Sequence, residues 1–202
     1  MSRVLVGPQE AWALLRKDAV VAIDCRADLA NRDPAVADAL HASAHLPGAL
    51  RADLDRDLAD LTIKGRGRHP LPEKEALVEI LRDWGVNDGS QVVAYDAHGG
   101  MFAARLWWML RWLGHEAVAV LDGGMAAWQS LGQPLSVDVP AKARGAIAVR
   151  APFVPTVTVR DVMDNIERGE RTVIDARAAD RFRGENETID PVGGHIPGAK
   201  NR

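Results

Sequence analysis

Apolar and polar positions fall into blocks along the chain that read as strands leading into helices. Val92 to Tyr95 is a continuous apolar or β-preferring run, the pattern of a buried strand. Phe102, Leu106, Met109 and Leu113 then recur at helical spacing, with Gly114 placed as the C-terminal stop. The turn between them, Asp96-Ala97-His98-Gly99-Gly100-Met101, carries two glycines. A strand passing through such a turn into a helix gathers backbone N–H groups at the positive end of the helix dipole, which suits an anion or an anionic nucleophile. The residue standing there is Asp96, a carboxylate rather than a nucleophile.

The same alternation extends in both directions. Arg3 to Val6 predicts a short strand, and Pro8 opens a helix through about Lys17, at a first-turn position where its missing N–H is harmless. Ala19 to Ile23 is a second apolar run. Asp28 to Ser43 is polar and alanine-rich, read as loop and short helix, and His45-Leu46-Pro47-Gly48-Ala49-Leu50 is a turn entering a strand. Asp53 to Arg68 is a charged, glycine-interrupted loop, long enough to suggest a function. Leu77, Ile80, Leu81 and Trp84 share one face of a helix over Glu73 to Trp84, stopped by Gly85. Val118 to Leu121 is a strand, Asp122-Gly123-Gly124 a turn, and Met125 to Leu131 a short helix before Gly132. Strands alternating with helices predict an α/β fold with a parallel sheet covered by helices on both faces.

Residues 136–155 read as a linker, proline-bearing (Pro140, Pro152, Pro155) and without helical or strand period. The pattern then restarts: Val157 to Val159 as a strand, Arg160 to Arg168 as a helix stopped by Gly169, and Thr172 to Ile174 as an apolar run. Asp175-Ala176-Arg177 echoes Asp24-Cys25-Arg26, 151 positions on, and His195-Ile196-Pro197-Gly198-Ala199 echoes His45-Leu46-Pro47-Gly48-Ala49, 150 positions on. Two motifs in the same order at nearly one offset predict a duplicated domain. The counterpart of Asp96 would fall near position 246, so the second copy is expected to be truncated at about its first third. The division is therefore residues 1–135, a whole domain; 136–155, a linker; and 156–202, the start of a second domain.

Composition narrows the function classes. The net charge of −3 gives no basic footprint for nucleic acid. No run reaches the roughly 18 apolar residues of a membrane span, and the first residues lack a signal-peptide pattern, so no membrane partner and a cytoplasmic location are expected. Cys25 is the one cysteine, which excludes an intrachain disulfide and a multi-cysteine metal site.

The Asp-x-Arg after a strand, the His-[Leu/Ile]-Pro-Gly-Ala turn, Leu121-Asp122-Gly123-Gly124 with Trp128, and Ala104-Arg105-x-Trp107-Trp108 resemble the rhodanese family, and within it the tandem-domain thiosulfate or 3-mercaptopyruvate sulfurtransferases. The resemblance covers essentially the whole chain. It implies a silent N-terminal domain, with Asp96 at the position of the active domain's cysteine, and a nucleophilic cysteine beyond residue 202. The implied chemistry is a persulfide relay from a small anionic sulfur donor to a thiol or cyanide acceptor, with no metal and no organic cofactor. It also implies a substrate-binding role for Arg181, in Arg181-Phe182-Arg183-Gly184, and an assisting role for His69 with Asp55 upstream. The second arginine that mercaptopyruvate-type relatives often carry before the Gly-His-Ile-Pro-Gly turn is missing from Glu185 to Val192.

Each candidate has a plainer reading. Arg181 is otherwise a solvated loop arginine, Arg183 a structural residue, and His69 and His98 polar loop residues. Cys25 is a small packing residue or, with no glycine-rich cradle after it, a poorly equipped nucleophile. Asp24 with Arg26, and Asp175 with Arg177, suit structural ion pairs. Trp107, Trp108 and Trp112 suit packing better than a ligand cage. Two functions remain open: a tandem sulfurtransferase, or a non-enzymatic chain that is either a degenerate rhodanese-like module acting in binding or regulation or an inactive truncated product.

Overall fold

The computed structural model describes residues 4–28, 33–139 and 141–202. Arg3, residues 29–32 of the polar stretch and Pro140 lie outside the described residues. The chain divides into two compact units, Met1–Val154 and Pro155–Arg202.

The first unit is built on five parallel strands: β1 (Leu5–Val6), β2 (Val20–Asp24), β3 (Leu50–Arg51), β4 (Gln91–Tyr95) and β5 (Val118–Leu121), in the order β1-β5-β4-β2-β3. Its helices are α1 (Pro8–Leu15), α2 (Pro34–Ser43), α3 (Lys74–Asp83), α4 (Met101–Trp112) and α5 (Gly124–Ser130). The strands are apolar on both faces because both are covered. Val21, Ile23, Val92, Ala94, Val118 and Val120 meet Leu77, Leu81, Leu106 and Met109 of α3 and α4. Their strand neighbours Val20, Ala22, Val93, Tyr95, Ala119 and Leu121 meet Ala11, Met125 and Trp128 of α1 and α5. Because β2, β3 and β4 run parallel, their C-terminal ends, with their loops, gather at one end of the sheet, where open α/β sheets collect ligands.

Among the described residues of 136–155, read as a linker, none is helical, and Ser136 makes an antiparallel bridge with His45. Much of the segment is nevertheless fastened to the first unit. Gly145 N–H donates to the Arg82 carbonyl, Ile147 N–H to Val86, Arg150 N–H to Leu113 and Phe153 N–H to Arg111. Ile147 is buried in the α3–α4 core. A Cβ on Gly145 would stand 2.1 Å from the Val86 carbonyl oxygen, so only glycine lets the chain pass so close.

The second unit contains α6 (Val159–Arg168), β6 (Ile174–Asp175), α7 (Ala179–Arg183) and β7 (Lys200–Asn201), with β6 and β7 parallel. The strand expected over Val157 to Val159 is not formed. Thr158 instead caps α6: its hydroxyl accepts from Asp161 N–H, and the Asp161 carboxylate accepts from Thr158 N–H. This reciprocal box commits Val159 to the first helical turn despite its β preference. Among the described residues, no helix is long and apolar enough to cross a membrane.

Candidate functional site

The turn between β4 and α4 closes on a single side chain. Gly99 and Gly100 take positive φ angles of 69° and 89°, curling the backbone around Asp96. Asp96 Oδ1 accepts from the N–H groups of His98 and Gly100, both at 2.9 Å; Oδ2 accepts from Phe102 at 2.8 Å and Ala103 at 3.0 Å. The residue is 1% exposed. The expected convergence of donors is present, and the Asp96 carboxylate fills it. The Asp122-Gly123-Gly124 turn presses against the same residue. Met125 N–H donates to the Asp96 carbonyl at 2.9 Å, and a Cβ on Gly124 would lie 2.3 Å from that oxygen. His98 stays exposed, edge-on to Phe102.

Beside the cradle, at the end of β2, Arg26 folds back on Asp24. Its backbone N–H and Nε reach Oδ1 at 2.9 and 3.0 Å, and Nη2 reaches Oδ2 at 2.5 Å. Tyr95 Oη donates to the same carboxylate at 2.9 Å and accepts from Leu46 N–H at 3.2 Å. Cys25 lies between these residues, 1% exposed. Burial, aided by the charges of Asp24 and Asp96, pushes its thiol well above the usual range, so it stays neutral and inaccessible. The His-Leu-Pro-Gly-Ala turn has a packing role as well. His45 stacks on His41 at 4.1 Å and bridges the carbonyls of His41 and Asp138.

Asp55 and His69, fourteen positions apart in the sequence, meet in space, with Nε2 and Oδ1 separated by 3.0 Å. They share a cavity of about 340 Å³ with Arg51, Asp53, Arg56 and Leu61. The Arg51 guanidinium lies 3.3 Å from Asp38 and 3.4 Å from Asp53. Arg51, at the end of β3, is a wall residue that the sequence did not single out, since nothing in its spacing marks it. Trp107, Trp108 and Trp112 are half-buried on α4 and pack against the core; the last two stack at 5.9 Å.

In the second unit, Arg177 repeats on Asp175 the geometry of Arg26 on Asp24: Nε at 3.0 Å from Oδ1 and Nη2 at 2.6 Å from Oδ2. Arg181 lies in α7 rather than in a loop. Its guanidinium is held by Glu187, with Nε at 3.0 Å and Nη2 at 2.8 Å from Oε2, and by Asp190 at 3.0 Å. It is therefore neither an open fork nor a solvated arginine. Arg183 pairs with Glu185. The carboxylates of Glu185 to Asp190 stand in the stretch that lacks the second arginine.

These pairs define an acid sensitivity. Hydrogen bonds from Arg177 hold Asp175 down at about 2, against an ordinary 3.8, and those from Arg181 hold Glu187 at about 2, against 4.5. Both folded-state values are depressed, so their stabilisation is complete above about pH 4.5 and is lost as pH falls toward 2. Carboxyl ¹³C titration of the 202-residue chain is expected to show both groups titrating near 2. Midpoints near 4 would mean that the pairs do not persist in solution.

Comparisons with known proteins identify the fold and the family. Residues 7–131 match the rhodanese-like domain family. A probable 3-mercaptopyruvate sulfurtransferase of Pseudomonas aeruginosa is 40% identical over 201 residues, covering 98% of this chain and 70% of that protein. The human 3-mercaptopyruvate sulfurtransferase is 39% identical over 163 residues, covering 78% of this chain and 53% of its own length. The crystal structure of SseA from Escherichia coli, presented as the rhodanese fold of 3-mercaptopyruvate sulfotransferases, superposes with a TM-score of 0.84 at 31% identity, over 99% of this chain and 74% of that one.

Proposed function

Since the chain belongs to the rhodanese-like domain family, we propose that it is part of a tandem sulfurtransferase that moves sulfur from thiosulfate or 3-mercaptopyruvate to a thiol or cyanide. In this reading residues 1–135 are the silent domain, 136–155 the connection, and 156–202 the opening of the active domain. The observation that carries it is the Asp96 cradle: four N–H donors between strand and helix converge on one carboxylate. The same architecture around a cysteine favours the thiolate, because the donors and the helix dipole stabilise negative charge. The duplicated Asp-x-Arg geometry supports a second copy of the scaffold, whose cysteine would lie outside these 202 residues.

The proposed chemistry needs only that thiolate. It attacks the sulfane sulfur of thiosulfate; the S–S bond breaks and its electron pair leaves on sulfite. With 3-mercaptopyruvate the C–S bond breaks, and the carbon takes the electron pair and then a proton, giving pyruvate. The acceptor then attacks the outer persulfide sulfur and returns the cysteine as thiolate. Arg181 has the planar fork to grip the donor's carboxylate or sulfonate in exchange for Glu187 and Asp190. His69, paired with Asp55, is the first unit's candidate for an assisting role.

The 202-residue chain alone is then expected to show no thiosulfate:cyanide or mercaptopyruvate turnover above a no-protein control, its thiol being buried. A protein joining these residues to a completed second unit should turn over and carry a persulfide visible by mass spectrometry. Turnover by the 202 residues that disappears in Cys25→Ser would overturn the silent-domain reading.

A further inference from the structure

Residues 52–73 form neither helix nor strand, yet this stretch carries both members of the Asp55–His69 pair. The two ends are fixed by different means. At the start, Asp53 Oδ1 accepts from the N–H groups of Asp55 and Arg56 at 3.0 and 2.9 Å, and the Asp57 carboxylate accepts from Asp53 N–H at 2.7 Å. Asp55 is thereby set by local turn bonds. His69 stands at the far end, next to Pro70, whose carbonyl accepts from Asp60 N–H at 3.0 Å.

The other anchor comes from outside the loop. Arg105, in the second turn of α4, donates Nε and Nη2 to the Leu58 carbonyl at 3.0 and 2.7 Å, and Nη2 to the His69 carbonyl at 3.0 Å. It therefore spans the loop, joining residue 58 to residue 69 through one rigid planar group. Its acceptors are carbonyl oxygens, so it gains little from charge pairing, and burial lowers its pKa. A half-buried guanidinium spent on the backbone carbonyls of Leu58 and His69 is costly unless it fixes something. Here it fixes the backbone of His69 against the helix that starts at the Asp96 cradle.

We infer that Arg105 is the positioning residue of the His69–Asp55 pair: by clamping Leu58 and His69 to α4, it holds the imidazole within reach of Asp55 on the cavity wall. The inference rests on the proposed role of His69 for its functional meaning, but its geometry can be tested without any sulfur donor. Without the clamp, the His69 end of the loop loses its tie to α4, and the imidazole would sample positions away from Asp55.

The test is the ¹⁵N–¹H spectrum of the histidine rings in the ¹⁵N-labelled 202-residue chain, with the His69 signal assigned by its loss in His69→Gln. Asp55→Asn should shift that signal by removing the partner. Arg105→Lys keeps a charge but loses the fork, and it should shift the His69 signal in the same direction while the buried His41, His45 and His115 signals stay in place. The double variant should shift it by less than the sum of the two. A His69 signal unmoved in folded Arg105→Lys, or one that moves only together with those of His41 and His45, would overturn the inference. If Arg105→Lys does not fold, Arg105→Gln, which buries no unpaired charge, takes its place, and failure of that variant to fold would assign Arg105 to the scaffold instead. A His69 ring that follows Arg105 in a protein whose completed form transfers no sulfur would remove the sulfurtransferase reading and leave the clamp standing.

Discussion

Replacing Asp96 with alanine is expected to destabilise the first unit by about 3–5 kcal/mol, the range for removing one partner from a buried charged network. The variant loses four charge-assisted hydrogen bonds and leaves four N–H groups facing one another in a site with 1% exposure. Each orphaned donor carries a desolvation penalty of about 1–3 kcal/mol, and they do not add fully because the turn can relax. Asp96→Asn should lose roughly half as much, since its one oxygen can still accept while its amide nitrogen faces donors. Urea unfolding followed by tryptophan fluorescence measures both. A loss below about 1 kcal/mol for the alanine variant would mean that the cradle does not depend on its carboxylate.

The second large effect is a contrast between two copies of one motif. Asp24→Ala should cost about 3–5 kcal/mol, because it leaves the Arg26 guanidinium buried on the Leu40 and Ala44 carbonyls without its carboxylate and takes the acceptor from Tyr95. Arg26 is 7% exposed and Asp24 fully buried. The same change at Asp175 removes nearly identical bonds from Arg177, but that side chain is 29% exposed and can turn to water. Surface pairs of this kind contribute about 0–1 kcal/mol. Equal losses at the two positions would show that hydrogen-bond geometry, rather than burial, sets the energy.

What could be read in advance follows the range of the forces involved. The sheet was legible because β2, β4 and β5 are apolar runs and because α3, α4 and α5 end on Gly85, Gly114 and Gly132. The cradle was legible as an anion site, and Asp96 as its odd resident, but that the carboxylate itself fills the cradle depends on φ angles at Gly99 and Gly100 that no periodicity encodes. The strand expected at Val157 to Val159 failed where a local signal, Thr158 with Asp161, outweighed β preference. The pairing of His69 with Asp55 came from the resemblance alone; spacing cannot show that a loop folds back on itself. The grip of Glu187 and Asp190 on Arg181 was missed although these residues lie within nine positions of it, because charged residues in a polar stretch give no sign of which will meet.

The stretch around Gly145 bears on how such a domain can be inherited. The family match ends at residue 131, yet the compact unit runs to Val154, and Ile147 closes part of its core. Exchange of the first domain between relatives by recombination would therefore have to cross over after the fastened segment. A junction placed just past the Gly-Gly turn and its helix would hand the recipient a core with one side chain missing and a row of carbonyls, at Arg82, Val86, Arg111 and Leu113, without their donors. The segment past the family match is therefore constrained by the surface it covers.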